Sequence, residues 1–439
     1  MSHALLQAWT RTLRRHGTAR AVVQADNGAS VTFGELDARA AAWLGRNAPD
    51  PARLRGRAVV FAAANSIGWL EIFLALLKAG AVVVPLDAAE PPAAQHRLAT
   101  TLRAAWWNGA ALELPPGARR YRDPAVCLIK LTSGTTGRPR ALVFTAGQLL
   151  ADGRQVTATM GIRPRDLNYA LIPLGHSYGL GNLTIPLLAQ GVPLVCGSAP
   201  LPHAIAADFA RWRPTVFPGV PAMWRALAAS ELALPGLRLG ISAGAPLPSE
   251  VAQVFAARFG LRLHSFYGSS ETGGITYDRT GSAAFTGKVG RALRDVRLTA
   301  LPGHRLQVRS AAVLTQGNRR RGTWIMPDRV KLDASGGVSL LGRRDPTVKI
   351  AGRRVSLTEV SARLRLLPGV REVWVGVSSG HSPVLGAVIA TGRTAVELRT
   401  ALLADTAAWK IPKKLIVVPA LPLTARGKTD TQALQAMAC

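Results

Sequence analysis

Residues 128–145 read LIKLTSGTTGRPRALVFT. An apolar run breaks at Thr132 into Ser133, Gly134, Thr135, Thr136 and Gly137, and then Pro139 and Arg140 lead into a second apolar run. This order predicts a strand, a loop of phosphate size and another strand. Glycines let the backbone approach an anion, hydroxyls and unpaired backbone N–H groups donate to its oxygens, and a cation at the end balances its charge. On composition alone the same run is equally an ordinary turn. It is not the common P-loop, in which a Lys follows the last Gly directly, because Gly137 is followed by Arg138 and Pro139.

The chain around this loop has 439 residues, enough for one large domain and a smaller one. Its 54 Lys and Arg against 25 Asp and Glu give a net charge of +29, which raises the question of an acidic partner. The basic residues form no block of five, and aromatics do not alternate with them as stacking sites require, so no nucleic acid is expected. Cys127, Cys196 and Cys439 lie far apart without metal spacing and fit a reducing cytoplasm. The most apolar stretch, residues 67–86, contains Glu71 and Lys78 and reads as a buried helix and strand, so no membrane span is expected.

Read in order, residues 2–15 predict a helix and AVVQAD a strand, and Thr32 with Glu35 has the spacing of a capping box. Strand and helix then alternate through residues 57–86, which implies parallel pairing with crossovers. Residues 95–107 predict a helix, and an irregular segment leads into the loop. A second βα series runs from residue 147 to about 276, followed by short strands and Gly turns that predict a small β-barrel or twisted sheet. From Asp345 the composition changes to a small α+β unit. The expected class is α/β: a large N-terminal domain over 1–344 and a small C-terminal domain over 345–439. The large domain divides into layered βα subdomains at about 1–127 and 128–276 and a barrel-like part at 277–344.

The loop order TSGTTGxP(K/R) resembles the phosphate loop of adenylate-forming enzymes: acyl- and aryl-CoA synthetases, luciferases and peptide-synthetase adenylation domains. Four further stretches resemble that family in the same order, from about Thr32 to Leu434. FYGSSETGG resembles its YGxTE motif, which implies Tyr267 and Gly268 beside adenine, the Ser270 hydroxyl at the phosphate and Glu271 on Mg2+. ISAGAPLP resembles the adenine-side loop, with Gly244, Ala245 and Pro246. Gly240, Ser242 and Gly244 also fit a hydrolase nucleophile elbow, but that motif needs a helix directly after the Ser, and Pro246 and Pro248 intervene. Asp328 and Arg343, fifteen positions apart, match the ribose-binding Asp and its assisting Arg, although MPD stands where TGD is usual. LPLTARGKTD resembles the C-terminal P-x-T-x-x-G-K, which implies Lys428 as the catalytic cation at the α-phosphate.

The resemblance further implies that Arg140 takes the place of the Lys after the loop, with its charge kept. His176, in PLGHSYGLGN, falls where the family places a residue beside the acid pocket that gates the thiol. Asp345 falls at a hinge about which the small, mobile domain turns to present the loop containing Lys349 and Gly352. The implied function is ATP- and Mg2+-dependent activation of a carboxylic acid as acyl-AMP, followed by transfer to the thiol of CoA or of carrier-protein phosphopantetheine. PLGHSYGLGN favours a small aromatic acid such as a hydroxybenzoate, and the +29 charge an acidic acyl carrier protein. Two alternatives stay open: a fatty acyl-CoA or acyl-AMP ligase, and a non-catalytic relative that binds an acidic partner.

Overall fold

A computed structural model describes residues 3–132, 140–315, 322–343, 348–350, 353–355, 357–378, 384–403, 406, 408, 411–424 and 428–438. Internal contacts divide the chain into two units, Met1–Met326 with Lys331–Leu340, and Pro327–Val330 with Leu341–Cys439.

The first unit contains two sheets. β1 (Arg20–Gln24) and β2 (Ser30–Thr32) come first in the chain but belong to the larger one. The smaller sheet is built from β3 (Ala58–Ala62), β4 (Val82–Leu86), β5 (Ala105–Trp107), β6 (Leu112–Glu113), β7 (Val126–Thr132) and β8 (Arg140–Thr145), in the order β6-β5-β3-β4-β7-β8. Pairs β3–β4, β3–β5 and β4–β7 are parallel. Parallel neighbours need crossovers, and the helices Ile67–Lys78 and Pro92–Leu102 supply them. Val59, Phe61 and Val83 enter one core cluster, while Ala58, Val60, Val82 and Val84 enter another. Alternate residues of the same strands are therefore buried on opposite faces, which explains why these strands read as unbroken apolar runs.

The helix expected over residues 95–107 is shorter than predicted. It ends at Leu102, Arg103 turns left-handed at φ 51°, and Ala105–Trp107 become β5. Extending this segment brings Trp107 edge-on to Trp43, with ring centroids 5.0 Å apart, a contact that helical geometry gives up. The capping box is as expected. Glu35 N–H donates to Thr32 Oγ1 at 3.1 Å and Thr32 N–H to Glu35 Oε2 at 2.7 Å.

The larger sheet adds β9 (Asn168–Ala170), β10 (Leu194–Cys196), β11 (Val216–Gly219), β12 (Leu239–Ser242), β13 (Leu263–Ser269), β14 (Gly273–Tyr277), β15 (Lys288–Ala292), β16 (Arg297–Leu301), β17 (Arg305–Arg309), β18 (Thr323–Leu332) and β19 (Gly337–Arg343). Its order is β16-β17-β18-β19-β15-β14-β13-β12-β11-β9-β10-β1-β2. From β1 through β10, β9, β11 and β12 to β13 the pairs are parallel, and at β14 the sheet turns antiparallel. The barrel-like stretch of the sequence thus supplies β15 to β19 at one end of this sheet. Tyr169, Phe209, Phe217, Trp224 and Phe255 fill a core under it, with Tyr169 and Phe217 perpendicular at 5.0 Å.

The second unit is α+β. β20 (Val348–Ile350) and β21 (Arg353–Val355) form a hairpin, and β22 (Val370–Val377), β23 (Leu385–Thr391) and β24 (Lys414–Val418) form a sheet. Val360, Leu364, Val373, Ile389, Leu398 and Leu402 make its core. Among the described residues of the whole chain, no helix is long and apolar enough to cross a membrane.

Candidate active site

The two strands predicted around the loop are present. β7 and β8 pair antiparallel, with Thr132 opposite Arg140. Ser133, Gly134, Thr135, Thr136 and Gly137 lie outside the described residues. Arg140 is exposed at the start of β8, its guanidinium carbon 5.8 Å from the centre of the Trp324 ring.

In an open sheet with parallel strands, ligands bind beyond the carboxyl ends of those strands. Several of the candidates gather there. β12 ends at Ser242 and leads into exposed Gly244, Ala245 and Pro246, with Gly244 at φ 88°. The next helix begins only at Ser249, and among the described residues the buried Ser242 hydroxyl has no hydrogen-bond partner, so there the elbow reading lacks both its helix and its base. β13 carries Tyr267 and Gly268, where a register shift marks a bulge against β14. A Cβ on Gly268 would stand 2.6 Å from Gly273 O, so this close strand approach requires glycine.

The turn between β13 and β14 holds Ser270 and Glu271, both half-buried. Leu314 N–H donates to Glu271 O at 2.8 Å and fixes the turn's backbone. Ser177 Oγ donates to Ser270 Oγ at 3.0 Å, so the hydroxyl proton of Ser270 remains available for another acceptor. The neighbouring Tyr178 hydroxyl donates to Gly219 O at 3.3 Å and Ile241 O at 3.2 Å, at the ends of β11 and β12. Burial, with Tyr277 adding to it, pushes the Tyr178 phenol up, so it stays a donor. His176 precedes these residues, with Nε2 3.8 Å from Asp87 Oδ2. The structure therefore joins the HSYG stretch, the SAGAP strand and the SSET turn, three stretches far apart in the chain.

Sequence reasoning passed over two buried charged groups close to this turn. Lys130, on β7, and Asp152, on the helix Ala146–Met160, are both 5% exposed. Asp152 Oδ1 accepts from Gly274 N–H at 2.9 Å, and the Lys130 ammonium lies 4.3 Å from the Phe144 ring centre. Burial pushes the ammonium down and the Asp152 carboxyl up, and the attraction between them opposes both shifts, as do Glu271 for the ammonium and the Gly274 N–H for the carboxyl. A lysine inside an apolar strand was the available signal, because such a residue is almost never buried without a partner.

The remaining candidates fall in the second unit. Asp328 lies on the portion of β18 that belongs to it and is half-buried, and Arg343 ends β19. Lys349 is on β20, paired with Arg354 across the hairpin. Asp345 and Gly352 lie outside the described residues. Lys428 is exposed beside the bridge between Leu423 and Thr429, and its carbonyl accepts from Thr424 N–H at 2.7 Å.

Glu271 is a single carboxylate on a fixed turn. Mg2+ carried by triphosphate oxygens takes one or two protein carboxylates, so this donor fits it. A separate cleft of about 680 Å3, lined by Asp123, Gln148, Asp295, Arg297 and Arg309 among others, contains none of the motif residues.

A sequence profile of the AMP-binding enzyme family matches residues 9–105 and 104–302. A feruloyl-CoA synthase from Amycolatopsis is 27% identical, over 91% of this chain and 92% of its own. An anthranilate–CoA ligase from Pseudomonas aeruginosa is 29% identical, over 74% of this chain and 70% of its own. Among solved structures, a benzoate CoA ligase from Burkholderia xenovorans superposes with a TM-score of 0.77 at 23% identity, over 99% of this chain and 100% of that one, which shows the same fold.

Proposed function

The chain belongs to the AMP-binding enzyme family, whose members form acyl-adenylates, and on that premise we propose an ATP-dependent acid–thiol ligase acting on a small aromatic acid. The observation that carries this reading is the convergence of Ser270, Glu271, Ser177 and the strand leading to Gly244 at the carboxyl ends of parallel strands. The relatives named for aromatic acids, feruloyl and anthranilate, support the choice of acid.

In this reading Thr132 to Gly137 and Arg140 hold the β- and γ-phosphates, and Tyr267, Gly268 and the 244–246 loop flank adenine. Asp328 accepts from the ribose hydroxyls with Arg343 assisting, and Ser270 donates to a phosphate or adenylate oxygen. Glu271 would hold Mg2+, which neutralises phosphate charge as pyrophosphate leaves. A carboxylate oxygen of the acid attacks the α-phosphorus, and the bond to pyrophosphate breaks. Negative charge grows on the nonbridging oxygens, and the Lys428 ammonium stabilises it more in the transition state than in the ground state. A thiol sulfur then attacks the acyl carbon, losing its proton, and AMP departs. His176 is the proposed gate for that thiol. Asp345 is the proposed pivot of a 345–439 domain, with Lys349 and Gly352 in its thiol-transfer loop. CoA is the proposed first acceptor and carrier-protein phosphopantetheine the second, favoured by the +29 charge.

The test is ATP–pyrophosphate exchange across aryl and fatty acids, followed by AMP release with CoA or a loaded carrier protein. Exchange with benzoates or hydroxybenzoates, lost in Lys428→Ala, is expected. Exchange with fatty acids alone would replace the aromatic reading, and undiminished exchange in Lys428→Ala would overturn the role of that lysine.

A further inference from the structure

The Asp152 carboxylate touches two of the segments that carry the candidate site. Its Oδ1 accepts from Gly274 N–H at 2.9 Å, in the strand directly after the turn with Ser270 and Glu271. Gly273, at φ 69°, brings its Cα so close that a Cβ there would collide with the same carboxylate. On the other side, a Cβ on Gly181 would stand 2.8 Å from Asp152 Oδ2. Gly181 belongs to the helical segment that follows Ser177 and Tyr178. Two glycines thus allow two backbones to close on one buried oxygen pair. Lys130, whose charge acts on this carboxylate and is buried like it, lies on β7, two residues before Thr132.

We propose that Lys130 and Asp152 form a buried positioning pair that clamps the 270–274 turn to the 177–184 segment and so aims Ser270 and Glu271 at the nucleotide. Asp152 is the clamp and Lys130 its counter-charge; neither touches substrate. A carboxylate buried without compensation is costly, so the acceptor that fixes Gly274 needs a cation of its own from the strand below. Its effect on the nucleotide rests on the proposed roles of Ser270 and Glu271, but the clamp itself does not.

Single variants leave one charge unpaired and can fail to fold, so the test uses neutral pairs. Lys130→Met with Asp152→Asn removes both charges and keeps an oxygen acceptor for Gly274. Lys130→Met with Asp152→Ala removes the acceptor too. Amide hydrogen exchange of a peptide spanning residues 266–277 reads the clamp directly. The Asn pair is expected to keep parental protection, and the Ala pair to lose it by about tenfold or more. Binding of a nonhydrolysable ATP analogue with Mg2+, measured by calorimetry, should weaken several-fold in the Ala pair and recover in the Asn pair. Parental protection in the Ala pair would overturn the clamp. So would equal loss in both pairs, since that marks the charges alone as mattering. Lost protection with unchanged nucleotide binding would overturn only the link to Ser270 and Glu271. Glu271→Ala, run alongside, separates the last case: if it too leaves Mg2+-dependent binding unchanged, the reading of Glu271 has failed and the clamp stands.

Discussion

Replacing Arg238 by Ala tests the ion pair that seats β12, the strand leading to the 244–246 loop. Arg238 Nε and Nη2 donate to Asp166 Oδ1 and Oδ2 at 2.6 and 2.5 Å, a two-pronged contact. Asp166 is 5% exposed and Arg238 42%. Removing one partner of a fully buried pair costs about 3–5 kcal/mol. Here water reaches the arginine, and Arg163 N–H and Thr215 Oγ1 still donate to the carboxylate at 2.8 and 3.0 Å, so the loss should be smaller. We expect roughly 2 kcal/mol at about pH 7. Burial raises the Asp166 carboxyl, but the hydrogen bonds from Arg238 and Arg163 N–H, the Arg238 charge and Thr215 outweigh it, so its folded value is depressed. A depressed carboxyl contributes stability above its ordinary pKa of about 3.9 and loses it as pH falls through the folded value. The deficit of Arg238→Ala should therefore be full at about pH 7 and smaller only below the ordinary value, at about pH 3. Urea unfolding followed by tryptophan fluorescence at both values reads this. A deficit under about 0.5 kcal/mol at neutral pH, or one equally large in acid, would refute the reasoning.

Gly273→Ala combines a left-handed backbone with a collision against Asp152, and should lower stability by about 2 kcal/mol or more in the same urea assay. Glu271→Gln keeps the shape of the turn and removes the charge; the Mg2+ concentration for half-maximal exchange should rise roughly tenfold, while melting temperature stays near the parent's. Burial pushes the thiols of Cys127 and Cys196 up to about 12, so neither should react with a thiol reagent near pH 8 until the protein is unfolded.

Features fixed by neighbours in sequence were readable from it. The Thr32–Glu35 box spans four residues, and β7 and β8 flank their loop directly. The strands over residues 58–86 announced themselves as apolar runs because both faces are covered. What escaped was set by contacts across the chain. Residues 105–107 extend because Trp107 meets Trp43, a partner that periodicity cannot reveal. Lys130 and Asp152 are 22 positions apart on a strand and a helix, and only folding sets them under the same turn. Likewise, the bond between Ser177 and Ser270 spans 93 positions, and although Ser270 is legible in its motif, nothing in the HSYG stretch marks Ser177 as its partner.

The place of β1 in the larger sheet has a consequence for the order of synthesis. Val22 pairs with Leu194, so the strand at one end of the chain finds its neighbour only after 172 further residues have been made. At about 5–20 residues per second that wait is roughly ten to thirty seconds. During it Ala21, Val22 and Val23, fully buried in the finished fold, have only β2 to pair with. β1 is thus enclosed only once β10 has been made, and a nascent chain halted before residue 194 presents an apolar edge to chaperones.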